Sequence, residues 1–516
     1  MKKYSFINNS LGWLVFIIAS IVYLLTAEPT ASWWDCGEYI ATAYKLQVGH
    51  PPGAPTFQIF ARIFSLFAGG DVTKVAYMVN ALSAICSGFT ILFLFWTITI
   101  FAKKLVKKGQ EITKGQMIAI FGSGLVGSLA YAFSDTFWFS AVEGEVYAMS
   151  SFFTALVFWT ILKWESESDD RHNLRWIILI AFLVGISIGV HLLNLLAIPA
   201  MAYVFYFKKY PKTTRKGFIL AGLLSIVIVG IVLYFVVPMI VSFAGKFEIF
   251  FVNSIKMPFN SGTIIFFALL IGLIIFGLKY SKDNAKPLLN TSILAFLFLL
   301  IGYSTFLVLV IRANANTPIN ENAPKDAVGL LTYLNREQYG QTPLLYGPYY
   351  TGKATESKEG TPKYIKDKVN KQYIEVKSGG EAIYPPEHCT VFPRMYSSLE
   401  PKHETYYKYW AGITHDGKPT FSQNLKYFFR YQVNHMYWRY FMWNFVGKQN
   451  DIQSLGVNHS NYDAESNGTK DLINGNWISG IKFIDQIRLG PQNNIPKEMK
   501  ENAARNTLYF LPFLLG

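Results

Sequence analysis

Trp176–Ile–Ile–Leu–Ile–Ala–Phe–Leu–Val–Gly–Ile–Ser–Ile–Gly189–Val–His191–Leu–Leu–Asn194–Leu–Leu–Ala–Ile–Pro–Ala–Met–Ala–Tyr–Val–Phe–Tyr–Phe207 reads either as one tilted helix crossing a bilayer or as two short ones parted at Val190–His191–Leu192. A bilayer span needs about 20 apolar residues, so the length of this stretch permits both. The choice inverts the orientation of everything that follows. Flanking charge decides it.

Further apolar runs cover 11–27, 76–101, 117–134, 146–163, 217–238, 263–279 and 287–311. Basic residues gather between them: Lys2 and Lys3; Lys103, Lys104, Lys107 and Lys108; Lys208, Lys209, Lys212, Arg215 and Lys216; Lys279, Lys282 and Lys286. Lysine and arginine accumulate on the cytoplasmic side of a membrane. Splitting 176–207 into a hairpin puts all these clusters inside, about 18 Lys/Arg against about five in the short external segments. One long helix would break the pattern, so two short helices are expected.

The reading is a polytopic α-helical membrane protein with a mixed α/β extracytoplasmic domain. Residues 1–311 form a transmembrane catalytic domain of about nine helices, and 312–506 the extracytoplasmic domain. Residues 507–516 start a further transmembrane helix, which suggests the first part of a longer protein. The N-terminus is cytoplasmic, and segments 28–75, 135–145, 238–262 and 312–506 lie outside. A cleaved signal peptide is the competing reading of the first run. An uncleaved first helix fits a many-helix chain better.

Composition agrees: 51% of the residues are hydrophobic and only 16% charged, with mean hydropathy +0.24. Soluble domains carry about 25% charged residues. The net charge of +14 sits in loops beside apolar runs, which removes nucleic acid as its explanation. Cys36, Cys86 and Cys389 make no disulfide framework and form no zinc pattern. A Cys36–Cys389 bridge is conceivable on one membrane side, but free thiols are the simpler reading. Within the last external segment, 425–445 has helical spacing, with Leu425, Phe428, Phe429, Val433 and Met436 on one face and Lys426, Arg430, His435 and Arg439 opposite. It suits either a lipid-interface helix or a core helix.

Chemistry concentrates after the first run, in Trp33–Trp–Asp35–Cys–Gly–Glu38–Tyr39 and Gly49–His50–Pro–Pro–Gly–Ala–Pro55. Acids three apart face one site if the segment is helical, and acids at a lipid boundary are costly enough to suggest function. His-Pro-Pro would hold the imidazole in one orientation. A second acidic loop, Asp135 to Tyr147, supplies Glu143, Glu145 and Tyr147 on the same expected side. His191 is a further candidate, although a lone histidine there is more often a helix-end hydrogen-bonder. Lys45, Arg62 and Arg312 are external cations able to meet an anionic group, as are Lys256 and Arg394. Each of these groups also has a plain reading as a solvated loop or a basic residue at lipid head groups.

An acid after the first helix followed by His-Pro-Pro resembles the multispanning lipid-linked-sugar glycosyltransferases of the C type, closest to protein O-mannosyltransferases. Their acids are adjacent, whereas Asp35 and Glu38 are spaced. Trp34–Asp35–Cys–Gly–Glu38, Gly49–Pro55, Val142–Tyr147, Pro318–Ile–Asn–Glu–Asn322, Leu344–Tyr350 and Tyr437–Asn444 resemble a bacterial membrane family of previously unknown function. That family is similar to an animal transmembrane protein O-mannosyltransferase. The resemblance implies an inverting transfer of a mannose-like sugar from a polyprenyl-phosphate carrier to an extracytoplasmic protein or glycan, at a bacterial inner membrane. It makes Asp35 the first candidate for the base and Glu38 the second. His50, Lys45, Arg62 or Arg312 would stabilise the phosphate, and Glu143, Glu145, Tyr147 and His191 would line the sugar side. No cofactor is required beyond that donor, and a divalent metal is admissible but not expected. The partners are membrane lipid, the lipid-linked donor and the acceptor.

Two other classes compete. A transporter or flippase of a lipid-linked sugar would bury charges deep in several helices and repeat one half in the other. A non-catalytic subunit would merely present the 312–506 domain to partners.

Overall fold

The structure, a computed structural model, describes residues 2–106, 111–167, 174–336, 339, 342–360, 362–377, 380–450, 452–458, 469–491 and 495–500. The helix start expected at 507–516 lies outside these residues. Among the described residues seven helices are long and apolar enough to cross a membrane: Lys2–Thr26, Val72–Lys104, Lys114–Ala132, Val146–Ser166, Arg215–Ser254, Ser261–Asp283 and Pro287–Asn314. The chain is a polytopic helical membrane protein with a smaller sheet-containing part.

Burial ranks these helices. Over its most apolar window Val72–Lys104 is 56% buried, against 12% for Arg215–Ser254 and 11% for Ser261–Asp283. The first is therefore the most enclosed by protein of the three. The other two keep most of their apolar surface uncovered by the described residues, as lipid-facing helices do.

The 176–207 stretch is broken where the sequence suggested. Helix Leu174–Ile188 ends before Gly189, a 3-10 turn covers Leu192–Ala197, and helix Ile198–Lys209 follows. His191 Nδ1 accepts the Leu193 N–H at 3.1 Å, capping the turn. Gly185 and Gly302 let helices Leu174–Ile188 and Pro287–Tyr303 touch backbone to backbone: a Cβ on Gly302 would stand 2.5 Å from the Ile186 nitrogen. Small residues at such crossings replace the hydrophobic drive that lipid removes.

Segment 238–262, expected outside the membrane, is helical as far as Ser254. Pro238 lacks an N–H and crowds the carbonyl four residues back, and the wide π turn at Val232–Val236 accommodates it without ending the helix.

Contacts group the chain into two units whose limits do not coincide with a boundary at residue 311. The first comprises 1–132, 137–339 and 363–376; the second comprises 133–136, 340–362 and 377–516. The hairpin Lys363–Asp367/Gln372–Val376 belongs to the first unit, where Tyr373 donates to Asp326 at 2.9 Å and exchanges two hydrogen bonds with Asn253. The second unit is built on a tyrosine-rich core of Tyr349, Tyr350, Met395, Tyr407, Trp410 and Tyr427. Among the described residues its strands pair in twos, such as Tyr346–Pro348 with Cys389–Val391. All three cysteines are free thiols.

Candidate active site

The segment after the first helix folds into two short helices, Cys36–Lys45 and Pro55–Leu66. Asp35 is the N-cap of the first and Glu38 lies in its first turn, where the helix dipole favours a carboxylate. Left-handed Leu46 stops the helix and turns the chain back, so that Gly49–His50 returns to its N-terminal end.

His50 joins the two acids. Its backbone N–H donates to Glu38 Oε1 at 2.7 Å, and its ring Nδ1 is 3.1 Å from both Glu38 oxygens. Ring Nε2 is 3.7 Å from Asp35 Oδ2. Burial pushes Glu38 up, but the bonds and charge of His50 outweigh it and hold the carboxyl below its ordinary value. His50 is correspondingly raised by Glu38, with Asp35 and Glu321 adding to it against burial. The Asp35 side chain is 58% exposed, against 26% for Glu38, so Asp35 is the acid open to an incoming group.

Two features fix this geometry. A Cβ on Gly49 would strike Glu38 Oε1, so only glycine admits the close approach. The fully buried Tyr333 donates its hydroxyl to Gly49 O at 2.6 Å and His50 O at 3.1 Å.

The second acidic loop meets the same segment. Glu28 N–H donates to Val142 O at 3.0 Å, and Asn80 donates to both Glu28 O and Thr30 O. This seats the Glu143–Gly–Glu145 turn beside Cys36, whose thiol is raised by burial and by both glutamates. Burial, then Glu143 and Asp35, push Glu145 up to about 7. Glu143 is likewise raised by burial, and its Oε2 is buried with no partner among the described residues. The Tyr147 ring packs at 5.4 Å and a 53° tilt against His191, whose imidazole is held below its usual value by burial and by Arg336.

The expected cations are placed elsewhere. Arg62 donates to Tyr44 O, and Arg312 to Leu46 O at 2.6 Å and Lys45 O at 3.0 Å. They serve the orphan carbonyls at the C-terminal end of helix Cys36–Lys45, the end opposite Asp35. Exposed Lys45 sits at that same end. Glu321, Tyr333 and Arg336 were not singled out as site residues. Glu321 lies in the Pro318–Asn322 segment, which carried a family resemblance, and its N–H bonds Val48 O at 3.0 Å. Burial and the neighbouring Glu38 raise its carboxyl.

Ligand atoms of Asp35, Glu38 and His50 lie within 4.8 Å of one another, close enough to hold a divalent cation by two carboxylates and one imidazole. The same set can move a proton: an exposed carboxylate beside a buttressed imidazole suits general-base work.

Residues 35–214 match the family described as protein O-mannosyl-transferase TMEM260 N-terminal domain, and residues 340–429 match a family of unknown function (DUF8416). The protein O-mannosyl-transferase tmem260 of Dictyostelium discoideum is 27% identical over 144 residues, which is 28% of this chain and 16% of that protein. The protein O-mannosyl-transferase TMEM260 of Mus musculus is 25% identical over 175 residues, 34% of this chain and 22% of that protein. The chain thus spans less than a quarter of the length of either curated relative. No solved structure matches. The stretch that holds Asp35, Glu38, His50, Glu143, Glu145 and His191 is similar to the N-terminal domain of the TMEM260 protein O-mannosyl-transferases.

Proposed function

We propose that the protein is an inverting glycosyltransferase that moves a mannose-like sugar from a polyprenyl phosphate to a hydroxyl group of an extracytoplasmic protein. The observation that carries this reading is the His50 bridge between Asp35 and Glu38, inside the stretch similar to the O-mannosyl-transferase domain. Asp35 takes the acceptor hydroxyl proton as that oxygen attacks the anomeric carbon. The bond from carbon to phosphate oxygen breaks on the opposite side, and the phosphate leaves with the electron pair. His50, whose basicity Glu38 raises, holds Asp35 in place from 3.7 Å, and Arg336, the cation beside His191, supplies positive charge to the departing phosphate. The protonated form of Glu145 can donate a hydrogen bond to a sugar hydroxyl. In this reading the membrane is a bacterial inner membrane and the site faces away from the cytoplasm.

The test is a purified, reconstituted protein given mannosyl polyprenyl phosphate and a serine- or threonine-containing peptide. A mannosylated peptide is the expected product. Movement of the lipid-linked sugar across the vesicle without any product would replace transfer by transport.

A further inference from the structure

The second unit contains a cavity of about 330 Å³ into which four cations converge: Arg430, Arg439, Lys470 and Arg488. No aspartate or glutamate is among the described residues that line it. The nearest acids among the described residues spend their hydrogen bonds on other groups. Asp471 accepts from Ser454 Oγ at 2.7 Å and from the Ile473 and Asn474 backbone, and Asp485 from Ser479 and Gly480, leaving Arg488 at 4.0 Å.

Each cation is instead steadied by a neutral backbone carbonyl. Arg430 donates to Trp410 O at 3.4 Å, Arg439 to Ser454 O at 2.8 Å, Lys470 to Arg488 O at 3.2 Å and Arg488 to Trp477 O at 3.0 Å. Those bonds orient the charges without neutralising them. Arg439 is only 5% exposed, and its buried Nε has no acceptor among the described residues. Burial pushes Arg439 and Lys470 down, and Arg488 to about 10. Burying cations is costly without a counter-ion, and among the described residues only Asp485, at 4.0 Å from Arg488, approaches one of them.

The backbone builds this convergence. Residues Phe428–Trp438 form a π-helix, with a wider turn of roughly 4.4 residues. Arg430 and Arg439, nine apart, are about two such turns apart and share a side. In an α-helix nine residues make about two and a half turns, which would set them on opposite sides. The remaining walls are flat: the guanidinium of Arg488 lies 3.2 Å over the Trp477 ring, and Trp410 packs at 5.1 Å against His435, itself held neutral by burial.

We propose that this cavity binds an acidic sugar, a uronate or a sugar phosphate, with the oxyanion on the four cations and the ring against the indole walls. The inference is independent of the transfer reaction, since no residue of the Asp35 cluster takes part.

Isothermal titration of the full chain in detergent, with glucuronate, mannose 6-phosphate, mannose and inorganic phosphate as separate probes, tests it. Saturable binding of glucuronate or mannose 6-phosphate is expected, with neither mannose nor phosphate reaching the same affinity. Arg430→Gln and Lys470→Gln, both at exposed positions, should each weaken binding about tenfold. Asp35→Asn should bind as the wild type does. Binding of mannose or of inorganic phosphate as tight as that of the acidic sugars would overturn the proposal, as would acidic-sugar binding untouched by both variants, or none at all.

Discussion

Glu38 holds His50 twice, through the backbone N–H at 2.7 Å and through ring Nδ1 at 3.1 Å. The pairing raises the histidine and lowers the glutamate. A lowered carboxyl contributes stability above its unfolded value near 4.5, lost as the pH falls through the folded one. A raised histidine contributes below its unfolded value near 6.5, lost as the pH rises through the folded one. Thermal melting of wild type and Glu38→Gln should therefore differ most between about pH 4.5 and 6.5, with the gap narrowing above. A gap that grows toward pH 9 contradicts the pairing.

Asp35→Asn keeps the shape and removes the base. Transfer from polyprenyl-phosphate sugar should fall by about 100-fold or more, with expression and membrane insertion unchanged. Activity near that of the wild type in the purified assay would remove Asp35 from the proton-accepting role.

Glu145 titrates near neutrality, at about 7, against an ordinary value of 4.5. Because the folded protein holds this proton more tightly than the unfolded chain, stability should decline as the pH rises from 4.5 to 7. Glu145→Gln should flatten that part of the melting profile. An unchanged slope would mean the carboxyl is not buried against Glu143 and Asp35.

Chelation separates the two uses of the Asp35–Glu38–His50 triad. With Asp35 as a plain base, EDTA leaves the transfer rate unaltered. A rate abolished by EDTA and restored by added divalent ion would make the triad a metal site instead.

Tyr333→Phe removes the hydroxyl that spans the Gly49 and His50 carbonyls. The expected cost is about 1 kcal/mol of stability by denaturant melting, with a larger proportional loss of transfer than of stability. Wild-type turnover in this variant would show that the His50 loop holds its place without the clamp.

The membrane helices were legible because lipid imposes a simple rule, long apolar runs parted by basic loops, and even the break at His191 showed as a polar interruption. The Asp35–Glu38–His50 group was legible because all three lie within 16 residues of one another. Tyr333 and Glu321 were not, since their contact with the Val48–His50 turn joins positions more than 270 residues apart. Arg62 and Arg312 have the look of phosphate ligands until the end of helix Cys36–Lys45 is known. Only then do its unpaired carbonyls account for both. The 425–445 segment was visible as a helix with Arg430 and Arg439 read onto one polar face, but the π stretch that actually sets them side by side was not, since nine residues of α-helix would part them.

The Tyr333 clamp also bears on how the protein is made. A ribosome that has released residues 1–214 has delivered every acid of the first two loops, yet the tyrosine that secures the His50 turn is still more than a hundred codons away. The nascent chain therefore carries an unfinished centre while the helices between residues 215 and 314 are inserted. The centre is completed only once Tyr333 has emerged, after the helices that precede it have been threaded.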